Sequence, residues 1–483
     1  MTTQAPAADP KSAPTAETPA LHAATRALIL KHDGSVPRYT SYPPANFFTQ
    51  DPLGLADDLV AASNDETNRG ISLYFHVPFC PRRCLFCGCH TETDRSGAFI
   101  RAYMDTLAFE FGLLSAKLDR TRPVTQVHFG GGTPNAVPLN LLQEILEQAR
   151  ATFAFDADAE IAMECDPSLI LRPQLETLRE MGFNRLSFGI QDLKSDVLDA
   201  VNRRPSRLPP AELVAVCREL GFTGINLDLI CGLPLQTPAS FAKTVDDIAA
   251  ARPDRISLFP YAHVPWIKEH QTALEVLPSP GTEEKLGMIL AARDALAKAG
   301  YEAIGMDHFA LPDDELAIAR REGTLHRNFQ GYVTARAGQV HAMGASAITQ
   351  LHSGYLQNEK NLEKYMARVR AGELPFVGGY RMRPEDKAAR EVINALLCQG
   401  VADAPAILRK HDIDAETASS YLLESLERLA PLLEDGLAEE RDGVVRITDA
   451  GFPLSRRVAA AFDPKVNAKA DARSAAPRYS RAI

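Results

Sequence analysis

Cysteine is scarce in this chain: eight thiols among 483 residues are too few to staple a protein of this size, which excludes a disulfide scaffold. Long apolar runs are missing as well. No stretch of about 18 residues is free of charged and strongly polar side chains, so no membrane-spanning helix is expected. Positive charge is in deficit, with 52 Lys and Arg against 62 Asp and Glu and a net charge of −10. That balance argues against general affinity for nucleic acid or anionic lipid. A secretory signal is lacking too. Met1 to Ala20 mixes Ala, Pro and Thr with Asp9, Lys11 and Glu17 and has no continuous apolar core. Residues 1–36 read as a disordered leader, and the expected compartment is the reducing cytoplasm.

What is present between Ile71 and Ala310 is an alternation of short apolar runs and amphipathic segments. Strands are expected at Ile71–Val77, Thr125–Phe129, Glu160–Glu164, Arg185–Phe188, Gly224–Ile230, Arg255–Phe259 and Tyr301–Ile304. Several are apolar at nearly every position, as strands buried on both faces of a parallel sheet are. Helices are expected at Leu139–Phe153, Gln174–Met181, Pro210–Leu220, Thr237–Ala251 and Glu283–Ala299, three of them ended by Gly182, Gly221 and Gly300. The implied architecture is α/β, a barrel or doubly wound sheet. The polar and Gly-rich segments Gly130–Pro134, Glu164–Pro167, Gly189–Asp192, Gly232–Pro234 and Tyr261–His263 all follow strands, which favours a partial (β/α) barrel with one shared active face.

The pattern changes near residue 375. Helices at Glu385–Cys398 and Ser419–Leu433, strands around the Asp442-Gly443 turn signal and a further helix up to Phe462 resemble a winged-helix-type domain. Without a basic stripe, packing or substrate covering is favoured over DNA binding. The expected division is 37–70 as an N-terminal arm, 71–375 as the catalytic β/α domain, 376–463 as the helical domain and 464–483 as a tail. Lys465, Lys469, Arg473, Arg478 and Arg481 in that tail read as solvated charge.

The cysteines are unevenly placed. Cys165, Cys217, Cys231 and Cys398 are scattered and read as core residues. Cys80, Cys84, Cys87 and Cys89 are clustered directly after a strand. A reducing compartment disfavours pairing among them. Zinc could use four thiolates, although it usually takes two separated pairs. An iron–sulfur cubane could take three thiolates from Cys-x3-Cys-x2-Cys and keep one iron open.

With Phe86, the Cys80/Cys84/Cys87 run resembles the signature of the radical S-adenosylmethionine (SAM) enzymes. More closely, Arg38-Tyr39-Thr40-Ser41-Tyr42-Pro43, Cys87-Gly88-Cys89, Tyr261-Ala262-His263, Gly305–Ala310 and Leu325–Tyr332 resemble the oxygen-independent coproporphyrinogen III oxidase family, over about Pro37 to Ala482. The resemblance implies a radical SAM partial barrel with a mainly helical C-terminal domain. It implies a [4Fe–4S] cluster on Cys80, Cys84 and Cys87, with SAM at the open iron giving a 5′-deoxyadenosyl radical. The implied reaction converts two propionates of coproporphyrinogen III to vinyl groups and yields protoporphyrinogen IX, with an electron donor protein as partner. No side chain is assigned a catalytic role, because the cofactor carries the hard step.

By the same resemblance, Gly131, Gly132 and Thr133 hold the methionyl amino group. Glu164, Gln191, Arg203 and Asp228 make polar contacts to SAM, while Tyr74, Phe86, Ala262 and Ile348 touch it by ring, backbone or apolar surface. The matching residues are compatible with one or two bound SAM molecules. Cys89 is expected near the site, as a non-ligand or a plain loop residue. Cys231 stands where the family often has an aromatic residue. A haem-chaperone-like relative is the alternative; such relatives generally lack the fourth cysteine, the Arg38–Pro43 segment and the Met306–Phe309 segment. His263, His308 and His326 are polar groups near the mouth with no assigned role. Arg38, Arg203 and Arg327 are the cationic groups expected there for an anionic substrate.

Overall fold

A computed structural model describes residues 19–50, 53–65, 70–334, 339–467 and 479. Six parallel strands stand side by side in chain order: Ile71–Val77, Val124–Gly131, Phe155–Cys165, Arg185–Gln191, Gly224–Cys231 and Arg255–Pro260. Each expected strand falls within or overlaps an observed one, because runs such as Ile71–Val77 bury every side chain but Tyr74 to below a tenth exposed. Helices Gly97–Ser115, Leu139–Thr152, Arg172–Glu180, Pro210–Glu219 and Pro238–Ala250 connect them. Crossovers of this kind are what parallel neighbours require. Aromatic packing ties strand to strand, with the Phe75 and Phe129 rings 5.0 Å apart and Phe183 5.6 Å from Phe129.

Both edges of the sheet extend further than the sequence reading foresaw. Gln339–Met343 pairs in parallel with Ile71–Val77. Beyond it run Ile348–Gln350, Gly354–Asn358, Phe376–Arg381 and the short Thr49–Gln50, all antiparallel. At the opposite edge His308–Ala310 pairs antiparallel to Arg255–Pro260, and Glu302–Ile304 pairs antiparallel to His308–Ala310. The described sheet therefore has 13 strands and stays open. Helix Gly97–Ser115 was also not foreseen; it buries Tyr103, Leu107, Phe111 and Leu114 behind the sheet.

Three expectations need correction. The stretch expected to be a disordered leader contains helix Pro19–His32, whose Ile29 is fully buried with Val36 against the C-terminal helices; residues 1–18 lie outside the described residues. The helical unit begins at Pro384 rather than 376, because Phe376–Arg381 is a strand of the large sheet with Phe376 in its core. Lys465 is not solvated: its ammonium sits 2.9 Å from the buried Asp386 carboxylate and over the Tyr380 ring. Lys469, Arg473, Arg478 and Arg481 lie outside the described residues.

The helical unit holds Pro384–Gln399, Ala415–Glu434 and Ser455–Ala461 with a three-stranded sheet, Val401–Asp403, Ala438–Arg441 and Val444–Ile447. Asp442 and Gly443 both have positive φ, +54° and +80°, as a two-residue hairpin turn of this hand demands. Tyr39 and Tyr42 of the arm are buried in this unit's core, and the Tyr39 hydroxyl donates to Asp463 at 3.1 Å. The arm is thus clamped to the helical unit while Thr49–Gln50 joins the sheet. Among the described residues no helix is long and apolar enough to cross a membrane.

Candidate active site

The C-terminal ends of the six parallel strands open into one cavity of about 540 Å³. The cysteine loop forms one wall. It leaves strand Ile71–Val77 and is pinned to the next strand end, where Gly132 and Thr133 N–H donate to the Val77 and Phe79 carbonyls, each at 2.9 Å. Cys80 N–H donates to Glu92 and Leu85 N–H to Val201, both at 2.9 Å. Side chains from elsewhere hold the loop carbonyls. Gln271 donates to Phe86 at 2.9 Å, Lys268 to Cys89 at 2.8 Å and Asn202 to Arg83 at 2.8 Å, and His270 lies 2.8 Å from the Cys87 carbonyl. None of these four was singled out from sequence, since they sit in no motif and only the folded chain brings them to the loop.

Cys80, Cys84 and Cys87 all face the cavity. Thr133 Oγ1 lies 3.2 Å from Cys80 Sγ, Arg203 donates to Cys84 Sγ at 3.4 Å, and Cys89 N–H donates to Cys87 Sγ at 3.4 Å. Burial pushes the Cys80 thiol up to about 11, against the Thr133 contact. It raises Cys84 as well, although Arg203 opposes it. Cys87 is the exception, lowered by hydrogen bonding from Cys89. Cys89 is exposed and lines the cavity.

The glycines beside the loop are sterically required. Gly131 has φ +112°, and a Cβ there would run into the His76 ring. A Cβ on Gly132 would stand 2.5 Å from the Pro78 carbonyl. Only glycine lets the two loops approach this closely. Glu164 accepts from Gly131 N–H at 3.0 Å and lies 3.2 Å from His128 Nε2. Burial works to protonate it, but these bonds outweigh burial and hold its carboxyl below the usual range. Asp228 takes hydrogen bonds from Ser187 at 3.0 Å and Asn226 at 2.7 Å. Here burial prevails and its carboxyl is raised.

Arg203 donates to the Gly189 carbonyl and lies 3.7 Å from Asp166, leaving Nε without a partner. Gln191, at φ +71°, has an unpartnered buried Oε1. Both line the cavity, as do Phe86, Gly131, Gly132, Thr133, Glu164 and Asp228. Tyr74 stands at the rear of this group, its ring stacked 5.8 Å from His128 and its hydroxyl 3.2 Å from His76. Ala262 belongs to a neighbouring cavity with Tyr261 and His263. Ile348 is not brought to either cavity; as a β-branched residue of an edge-ward strand it packs with Phe48, Tyr355 and Met382.

The far end of the cavity is lined by Arg38, Asp307, His308, Arg327 and Arg456. Asp307 and His308 bond at 2.7 Å. Although burial opposes ionisation, His308, Arg327 and Arg38 hold Asp307 at about 2. His263 pairs with Glu275 at 3.0 Å, and His326 is exposed. Arg456 was missed from sequence because it lies in the helical unit, more than a hundred residues beyond the Leu325–Tyr332 segment.

The donor set fits an iron–sulfur cluster. Three thiols line one wall with an arginine and a hydroxyl beside them, and the buried Gln191 and Arg203 atoms wait for polar partners. Among the described residues, no three His, Cys, Asp or Glu side chains converge as a single-ion site would need.

Comparison with known proteins agrees. The Radical SAM superfamily matches residues 74–248. The oxygen-independent coproporphyrinogen III oxidase of Escherichia coli K12 is 40% identical over 444 residues, covering 92% of this chain and 96% of that protein. That of Synechocystis is 36% identical over 94% of this chain and 97% of its own. The solved structure of coproporphyrinogen III oxidase (HemN) from Escherichia coli, a radical SAM enzyme, superposes with TM-score 0.83 at 38% identity, over 89% of this chain and all of that one. Parallel strands, three cysteines on one cavity wall and identity along nearly the whole length lead to one conclusion: this chain belongs to the oxygen-independent coproporphyrinogen III oxidase family of radical SAM enzymes.

Proposed function

We propose that this chain converts two propionate side chains of coproporphyrinogen III to vinyl groups without oxygen, giving protoporphyrinogen IX. The observation that carries the reading is the single cavity with a three-thiol loop at one end and three guanidinium groups at the other. Each conversion removes one hydrogen atom from the carbon β to the carboxyl, one electron, which passes to an external one-electron acceptor, and CO₂. The β C–H bond is unactivated, and acid–base catalysis offers only about 10²–10⁴-fold. A [4Fe–4S] cluster with bound SAM supplies the hydrogen-abstracting chemistry.

The chain's own residues do the holding. Cys80, Cys84 and Cys87 hold the cluster. The Gly131–Thr133 backbone and Glu164 receive the amino end of SAM, since Glu164 is ionised and faces the cavity. Arg203 is suited to its carboxylate, and Gln191 and Asp228 offer further polar contacts. Phe86 supplies an apolar wall, and Tyr74 supports Glu164 from behind. Ala262 lies next door, close enough in sequence to Pro260 of the cavity to contribute backbone. Ile348 acts only through packing. Arg38 and Thr40 place the arm at the mouth, where Met306 and Phe329 help to exclude water. A separate electron donor protein delivers the reducing electron, and the free thiols suit the cytoplasm.

The test is anaerobic turnover with SAM and a one-electron reductant. Conversion of coproporphyrinogen III to protoporphyrinogen IX is expected. Stable haem binding with an intact cluster and no vinyl product would support the chaperone-like alternative and overturn this reading.

A further inference from the structure

Among the described residues seven large apolar side chains are exposed, and three of them, Trp266, Ile267 and Val276, belong to one segment, residues 263–277. Trp266 is the sole tryptophan of the chain and is 48% exposed; Ile267 beside it is 64% exposed. Apolar residues scattered singly over a surface need no explanation, whereas adjacent large ones kept in water point to a partner. The same segment turns Gln271 and Leu274 into the fold, so it is anchored rather than loose. It also holds the cysteine loop, since Lys268, His270 and Gln271 reach the carbonyls of Cys89, Cys87 and Phe86.

The other flank of the loop is held by residues 201–207. Leu85 N–H donates to the Val201 carbonyl at 2.9 Å, and Asn202 donates to the Arg83 carbonyl at 2.8 Å. Arg83, Arg204 and Arg207 are exposed along this flank. The Arg204 and Arg207 side chains make no hydrogen bond or ion pair, and Arg83 reaches only the Thr91 carbonyl, at 3.2 Å. Lys268 likewise has no ion pair. Against these cations stand Asp94, Asp199 and Glu269, the exposed carboxylates of the same segments that are not paired. In a chain of net charge −10, the outer face of the cysteine loop is thus cationic on one flank and apolar on the other. Pro81, Arg83 and Gly88 of the loop are exposed, so the loop that carries the thiols meets solvent directly. The far end of the cavity is instead lined by the arm, the hairpin and the helical unit.

We propose that this face docks a small acidic one-electron carrier protein, whose carboxylates meet Arg83, Arg204 and Arg207 while apolar surface around its redox centre meets Trp266 and Ile267. This rests on the function proposed above, which takes an electron from outside. One electron leaves the carrier and enters the group held by Cys80, Cys84 and Cys87; the carrier is oxidised and that group reduced, and no bond or proton moves. Tryptophan and arginine are the residues that dominate contact centres between proteins. Opposite charge on the two faces speeds encounter without demanding a permanent complex, as repeated electron delivery requires.

Trp266 is its own probe, because all tryptophan emission of the chain comes from it. The cluster-loaded protein is titrated anaerobically with a tryptophan-free plant-type [2Fe–2S] ferredoxin, a small acidic carrier, and turnover is measured with that carrier or with dithionite as reductant. Saturable quenching of Trp266 is expected, weakening as salt rises from about 50 to about 300 mM. Arg204→Glu/Arg207→Glu should raise the carrier Kd, and the carrier concentration for half-maximal turnover, about 10–100-fold, and should remove most of the salt dependence. Trp266→Ala should raise the half-maximal carrier concentration about 10-fold and leave the salt dependence in place. Dithionite-driven turnover should match wild type in both variants. Carrier dependence unchanged in both variants would overturn the proposal, as would no quenching of the wild type at any carrier concentration. Self-association of the wild type that shifts Trp266 emission without carrier would assign the face to a second copy and overturn it too. Absence of dithionite-driven turnover in the wild type would instead sink the functional reading itself.

Discussion

The two ends of the cavity are built in opposite ways. The three thiols of the cysteine end come from one loop, Cys80–Cys89, although Asn202, Lys268, His270 and Gln271 reach in from far along the chain to hold its carbonyls. The arginine end is assembled from residues 38, 327 and 456 and exists only once arm, hairpin and helical unit have docked. Ligands that share one loop can be read as a motif, because their spacing is visible in the sequence even where distant side chains hold the loop. An assembled site leaves no spacing to read, so its chemistry appears only in the folded chain.

The largest expected effect lies at the cysteine end. Cys84→Ser removes a thiolate and the Arg203 contact together. It should abolish the visible absorption of the anaerobically reconstituted protein and all detectable turnover. Retained activity would mean that the cysteine end is not the reactive one. The next effect lies on the cavity floor between the ends. Glu160 accepts from Arg185 at 2.6 Å and Gln126 at 2.8 Å. Burial would protonate it, but Arg185 and Arg255 outweigh burial and hold it at about 2. Glu160→Gln leaves Arg185 with the Glu315 carboxylate alone, and should cost about 2 kcal/mol in denaturant unfolding at neutral pH. A depressed carboxyl stabilises the fold fully above its ordinary value of 4.5. That contribution fades as pH falls from there toward 2, so the gap between wild type and variant should narrow on acidification. A gap that widens would show the network to be misread.

The smallest effect is at the assembled end. Tyr39→Phe removes the hydrogen bond to the buried Asp463 that clamps the arm. It should cost about 1 kcal/mol in unfolding and raise KM more than it lowers kcat. Equal loss in both would argue that the arm serves the cysteine end instead.

The parallel core was legible because strands buried on both faces are apolar throughout, as Ile71–Val77 and Gly224–Cys231 show. The edge strands from Gln339 to Arg381 were not, for they are short and interrupted by Gly344, Gly354 and Gly378–Gly379. Helix Pro19–His32 escaped notice because its apolar run, Leu28–Leu30, finds its partners more than 250 residues later, in helix Thr282–Lys298 and the helical unit. At the site, the cysteines, Gly131–Gly132 and Glu164 were visible from strand-end position, and they do meet. Ile348 looked like core, and it packs as core; only the family resemblance had assigned it to SAM. Gln271, Lys268 and Arg456 were invisible, because hydrogen bonds to loop carbonyls and charges on a distant helix carry no periodic signal.

Stoichiometry tests the central claim most directly: CO₂ released per coproporphyrinogen III consumed, anaerobically, with wild type and Cys84→Ser run side by side. The account predicts two CO₂ per substrate, a product with two vinyl groups and two propionates, and none from the variant. No CO₂ from wild type with an intact cluster, or CO₂ from the variant, would contradict it.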